Sequence, residues 1–411
     1  MPDIVVIGGG AAGISAARHL HDADADVLLV EASDRLGGRA YSRSLALPGG
    51  GNVIVDLGCG WLHSARRNPW TNIAEVRGFP IDRGSPHWDV QWRDLGFPAC
   101  DQQAFATTRE RWEAAAHAAL TGPDRPLSDF IDSADPARPM IDAISGFANG
   151  AALTEVSLHD WAAYEDAADD DNWALPDGYG TLIRDHARPL SVRLDTPVTR
   201  IDHHGAVLRL DTPVGTIETG RAIVCVPTTV IANGGIVFDP PLPAKRDAAA
   251  ALPLGLADKV FLHVDAPIWP ADAHLIGNPR SACTASHRLS PFGRPIVESF
   301  FGGPCAEMME EGDAAAFAID ELVALLGGEW RSRFTPLAVT RWRREHWIGG
   351  SYSHARIGSA GQRMVLAQPV DDRLFFAGEA CSPHDFSTAH GAYVTGIAAA
   401  DRVLALSRHA R

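Results

Sequence analysis

The sequence predicts an α/β protein of two interleaved domains, one built on a parallel sheet of Rossmann type and the other α+β. Three observations predict it. Asp3 to Arg39 reads as strand, glycine turn, helix and strand. At 411 residues the chain exceeds what one hydrophobic core usually serves. Stretches that fit the first domain are interrupted by stretches with no nucleotide motif, which gives 1–83, 172–246 and 338–411 for the first domain, with 84–171 and 247–337 for the second.

In order, Ile4 to Ile7 is the short apolar run of a buried parallel strand. It meets Gly8, Gly10 and Gly13 in GxGxxG spacing. Gly8 permits the tight turn, Gly10 removes a side chain from a pyrophosphate's approach, and Gly13 lets a helix from about Ala11 to Leu20 sit close on the strand. The helix N-terminus then offers free N–H groups and a positive dipole end to phosphate. A second strand, Val27 to Val30, ends in Glu31, an acid placed for a ribose, which favours FAD or NAD over NADP.

The totals narrow the partners. A formal charge of −15 disfavours nucleic acid and anionic membrane and suits a cationic substrate. Cys59, Cys100, Cys225, Cys283, Cys305 and Cys381 show no CxxC pair, hence no zinc motif and no disulfide framework, and a reducing cytoplasm is the expected location. With the first strand beginning at Ile4, no signal peptide is expected unless one has been removed, and no apolar run reaches the ~20 residues of a membrane span.

Beyond Arg39, Asn52 to Leu57 reads as a strand leading into Gly58-Cys59-Gly60-Trp61-Leu62-His63. From Gly84 to Asp171 short helices dominate, including one from about Thr107 to Leu120. The acids Glu165, Asp166 and Asp169 to Asp171 read either as a solvated loop or as an amine contact. Strands follow at Val192 to Leu194, Pro197 to Ile201, Ala206 to Leu210 and Ala222 to Val226. Leu256 to Leu262 is a strand with Lys259 inside an apolar setting, which alone reads as an edge lysine reaching solvent. Val297 to Phe301 is a strand, and Asp313 to Leu326 is a helix opened by Asp and closed by glycines. The last third carries RWRREHWIGGSY at Arg341 to Tyr352, RLFFAGE at Arg373 to Glu379, and Ser387-Thr388-Ala389-His390-Gly391-Ala392.

These segments, with Arg35-Leu36-Gly37-Gly38-Arg39, resemble the flavin-containing amine oxidases, a family of monoamine and polyamine oxidases and histone demethylases. The resemblance implies FAD, with Gly38 and Arg39 closing over its pyrophosphate and Val198 holding the adenine through its backbone. Gly60 and Trp61 lie in the segment under the flavin ring, and Trp347 in the tryptophan-rich approach to it. Gly378 and Glu379 belong to the ribityl side, and Ala389 bonds the pyrimidine oxygen through its backbone. For chemistry it implies Lys259 holding a water behind the flavin, Tyr352 as an aromatic face, His63 facing the substrate, and Thr388 at a second cage position. Unaided, His63 beside a Trp reads as a packed or surface histidine.

Two departures matter. Ser351 replaces the cysteine that tethers flavin in mitochondrial monoamine oxidases, so FAD is expected without a covalent bond. Thr388 replaces their second cage tyrosine, which brings the chain closer to the polyamine oxidase branch. The implied reaction is oxidation of a small amine, with dioxygen as acceptor giving hydrogen peroxide. An L-amino-acid oxidase, a desaturase-type flavoprotein and a flavin-binding scaffold without turnover stay open. The first of these needs a cation for the substrate carboxylate, and the sequence places none.

Overall fold

The computed structural model describes residues 1–409. Five strands form a parallel sheet in the order Leu374–Phe376, Arg221–Val224, Ile4–Ile7, Val27–Val30 and Val192–Arg193. Ile4–Ile7 lies at the centre with all four side chains buried, as an apolar run must when both faces of its sheet are covered. The helices Ala11–Asp22 and Ala389–His409 cover one face. They touch at Gly396, where a Cβ would stand 2.3 Å from the Ala12 carbonyl oxygen. Thr228–Ala232, Pro243–Ala251 and a four-stranded sheet running from Arg200 to Asp239 cover the other.

A second, antiparallel sheet has the order Ala273–Ile276, Ser286–Leu289, Ile296–Gly302, Ala257–Val264 and Phe334–Val339. Its core takes Leu262 and Phe301 from the strands and Ala318 and Leu322 from the helix Ala314–Leu326, which Asp313 caps as expected. The hairpin Ser42–Ala46 and Asn52–Asp56 sends Leu45, Val53 and Val55 into this same core. The helices Ala99–Ala118, Arg138–Asn149 and Leu158–Glu165 gather around Trp112, Leu127 and Leu158.

Several expectations shift. The helix expected from Thr107 starts at Ala99, just after Pro98; only Trp112 and Ala116 are buried along it, so its first turns carry no apolar period to read. The strand expected at Pro197 to Ile201 is Arg200–Asp202, since proline cannot donate to a ladder, and that expected at Ala206 to Leu210 is Leu208–Thr212. Lys259 is no edge residue, because its strand lies between two others. A larger correction concerns sulfur. Cys283, in the loop before Ser286–Leu289, and Cys305, at the start of Pro304–Glu311, form a disulfide. No spacing signals it, because the sheet brings together positions 22 apart, and with it goes the argument for a reducing compartment. Among the described residues no helix is long and apolar enough to cross a membrane.

Candidate active site

A cavity of about 1830 Å³ runs between the two sheets, lined at one end by the glycine turn and at the other by the Ala99–Ala118 and Arg138–Asn149 helices. Gly8 adopts φ +104°, and a Cβ on it would lie 2.5 Å from the Cys225 carbonyl oxygen. On Gly13 a Cβ would collide with the Gly8 carbonyl oxygen at 1.8 Å, which is the close approach of helix to strand that the spacing implies. Gly10 differs: a Cβ there would meet nothing within 4 Å and would project into the cavity. Gly38 takes φ +55° beside it. Glu31 is buried, receives the N–H groups of Gly9 at 2.5 Å and Ser33 at 2.9 Å, and reaches the cavity wall. Val198 is also on the wall, and its backbone N–H and C=O make no hydrogen bond to the described residues.

The middle of the cavity gathers the C-terminal motifs. Arg39 donates to Glu379 at 2.9 Å and to the Ser351 carbonyl at 2.5 Å. Burial would raise the Glu379 carboxyl, but Arg39, Ser353, Arg363 and the Ser387 N–H outweigh it and hold the group below its ordinary value, so it is an anion. Gly378 follows the strand Leu374–Phe376 at φ +156°, on the cavity wall. The Ser351 hydroxyl bonds both the N–H and the carbonyl of Ala257 at 2.8 Å, as a strand clip. Cys59 lies near, its thiol pushed up to about 12 by burial and by Asp56. Ala389 opens the last helix, its carbonyl accepting from Trp70 Nε1 at 3.1 Å.

Lys259 is 7% exposed. Its ammonium donates to the Asp56 carbonyl at 3.0 Å and pairs with Glu298 at 2.7 Å, leaving one N–H for another partner. A Cβ on Gly60 would stand 3.4 Å from this nitrogen, so the glycine keeps the ammonium close to the backbone of the Gly58–Trp61 segment. Trp61 packs edge-on against Trp88 at 5.1 Å and carries the Arg288 guanidinium 4.6 Å from its ring. The Tyr352 hydroxyl donates to the Phe147 carbonyl, which fixes the ring on the cavity wall, and burial raises its pKa. His63 bonds Asn172 Oδ1 at 2.6 Å through Nδ1, so Nε2 keeps the lone pair. Burial lowers its pKa to about 4, with His390 adding to the effect.

The two remaining positions are less tightly placed for chemistry. Thr388 lines the cavity, but its hydroxyl donates to the Asp385 carbonyl at 2.6 Å and accepts the Gly391 N–H at 2.9 Å, so it caps the closing helix. Trp347 lines the cavity with 37% of its surface exposed.

The profile for flavin-containing amine oxidoreductases matches residues 134–404, and one for NAD(P)-binding Rossmann-like domains matches residues 6–75. The chain belongs to the flavin-containing amine oxidoreductases. Among similar proteins, polyamine oxidase 2 of Arabidopsis thaliana is 28% identical over 99% of this chain and 89% of its own length. Lysine-specific histone demethylase 1 homolog 2 of Oryza sativa subsp. japonica is 28% identical over 98% of this chain, which spans 57% of it. Cyclohexylamine oxidase from Brevibacterium oxydans IH-35A shares the fold with a TM-score of 0.80 at 21% identity, covering 99% of both chains. Putrescine oxidase bound to putrescine aligns with a TM-score of 0.77 at 18% identity, over 98% of this chain and 99% of that one.

FAD is the cofactor of this oxidoreductase, and the geometry fits it: an open cradle at Gly10 that any side chain would fill, an uncapped helix N-terminus beside it, and Glu31 on the wall. Sequence reading missed two side chains of the same site. Glu298 and Phe300 alternate on the strand Ile296–Gly302, both on the cavity wall, and Glu298 stands opposite Phe261 across the ladder. The signal was there as one acid inside the apolar run IVESFFG, facing a strand that holds one lysine.

Proposed function

We propose that this oxidoreductase takes a hydride from the carbon bearing the nitrogen of a polyamine or other primary or secondary amine, with FAD bound non-covalently. One observation carries the reading. Of the charged groups on the second-domain wall, the arginines Arg109 and Arg288 are spoken for, by Asp89 and Glu113 and by Asp272. Glu110, Glu165, Asp169 and Asp170 line the same cavity and make no ion pair among the described residues. Burial raises the Glu165 carboxyl and Glu113 adds to this, a cost that an arriving cation relieves. The likeness to polyamine oxidases and to a putrescine-bound oxidase supports the same class. An L-amino-acid oxidase needs a free cation for the carboxylate, and both arginines of this wall are neutralised.

Bound FAD supplies the hydride acceptor, with dioxygen carrying the electrons away as hydrogen peroxide while the imine hydrolyses to an aldehyde. The protein's task is to deliver an uncharged amine in a dry cavity. Burial holds the His63 imidazole down to about 4, so it is neutral in the resting site. Its Nε2 accepts a hydrogen bond and orients the nitrogen. Tyr352 offers its ring face to the docking cation. Lys259, held by Glu298 and Asp56, has one N–H left to fix a water. Ser351 is a hydroxyl bound into a strand, and burial and Asp56 push the Cys59 thiol up to about 12, away from the reactive thiolate, which supports non-covalent binding.

The test is anaerobic bleaching of the flavin absorbance by putrescine, spermidine, spermine, aromatic amines and amino acids. Di- and polyamines are expected to bleach it. Bleaching by amino acids alone, or by nothing, overturns the reading.

A further inference from the structure

We propose that Arg363 is a positioning residue that links the cofactor-facing carboxylate of Glu379 to the helix Leu158–Glu165 on the substrate side, so that each site stiffens the other. Arg363 is 1% exposed and does not line the cavity. A buried guanidinium is costly unless its donors are all met. Here they are. Nε and Nη2 form a fork on Asp160 at 2.7 and 2.8 Å, Nη1 donates to Ser353 Oγ at 2.9 Å and to the Ala380 carbonyl at 3.4 Å, and Nη2 reaches the Ser353 carbonyl at 3.4 Å. The guanidinium also lies 3.6 Å from the centre of the Phe386 ring.

The chain of contacts has two ends. Ser353 Oγ, accepting from Arg363, donates to Glu379 at 2.6 Å, and Glu379 also holds Arg39 and the Ser387 N–H on the cavity wall. Asp160 sits in the first turn of Leu158–Glu165, is 2% exposed, and also accepts the Ala355 N–H at 2.8 Å. The last turn of that helix carries Tyr164 and Glu165 to the cavity, and Tyr164 packs 5.6 Å from Phe386. A fork on a planar carboxylate tolerates little rotation, so a shift of Glu379 is felt at Asp160, and the reverse. An apolar cluster of the same volume would hold these elements together without transmitting direction, which separates this role from plain stabilisation.

The test uses purified holoenzyme and perturbs each end while reading the other. Ser353→Ala cuts the link and leaves the Arg363–Asp160 fork; amide hydrogen exchange over residues 158–165 is expected to quicken tenfold or more. Asp160→Asn changes a residue outside the cavity, and release of FAD, followed by flavin fluorescence on dilution, is expected to quicken fivefold or more. Exchange at the wild-type rate in Ser353→Ala overturns the proposal, as does wild-type FAD release in folded Asp160→Asn. Should Asp160→Asn not fold, the Ser353→Ala arm decides alone. Neither readout uses an amine, so an error in the substrate class and an error in this link give different results.

Discussion

The two ends of the cavity recognise their ligands with different parts of the chain. At the glycine turn the recognition is by backbone: N–H groups at a helix start, positive-φ glycines and a close helix-to-strand approach, with Glu31 as the one side chain committed. The other end of the cavity is walled by side chains that are themselves held in place, Lys259 by Glu298, Arg288 by Asp272 and Tyr352 by a backbone carbonyl. Backbone recognition demands particular residues, since only glycine fits. Side-chain recognition can be redistributed among partners, so one end can be fixed while the other changes its amine.

The largest effect that would sharpen this contrast is expected from Gly10→Val. Its Cβ meets nothing within 4 Å, so the fold should stand while FAD retention is abolished; a purified variant that stays fully yellow breaks the argument. Lys259→Met should keep bound FAD and slow flavin reduction or reoxidation tenfold or more, about 1.4 kcal/mol of barrier, in rapid-mixing experiments. Wild-type rates in both half-reactions would make Lys259 structural. Glu298→Gln keeps the shape and leaves the Asp56 contact to Lys259, so a smaller loss of roughly three- to tenfold is expected in the same measurement.

The smallest effect is on stability. Burial lowers His274 to about 3 and His354 to about 4. The unfolded imidazole takes its proton near 6.5, above either folded value, so stability is full above about pH 6.5 and falls as pH drops from there toward the folded values. By pH 5 each should cost on the order of 2 kcal/mol. Thermal unfolding between pH 7.5 and 5 should show the decline. Replacing each by Gln in turn then tells whether acid loosens the antiparallel sheet, which holds His274, or the segment beside Ser353 first. A slope unchanged in both variants would remove these histidines from the account.

Legibility followed the same divide. The glycines, Glu31 and the parallel strands could be read because a turn, a close approach and a buried strand each impose a residue type. Lys259 was singled out by its family position. What holds it was missed: Glu298 is 39 positions away and meets it through the antiparallel register, so the lone acid in IVESFFG pointed to Lys259 only once the two strands were paired. The pairing of Cys283 with Cys305 and the fork of Arg363 on Asp160 were hidden because only the tertiary fold brings those positions together. Thr388 lines the cavity, and its hydroxyl bonds add a role that its family position did not suggest, the cap of the closing helix.

The chain has only two lysines, Lys245 and Lys259, and both are buried, while the other thirty-four basic residues are arginine. Lys245 is used up on the carbonyls of Val365, Leu366 and Gln368. An aldehyde condenses with a free primary amine and not with a guanidinium held above pH 12. The described surface therefore presents no lysine for such a product to modify. Under the proposed reaction, no lysine side chain on the described outer face meets the aldehyde that the enzyme releases.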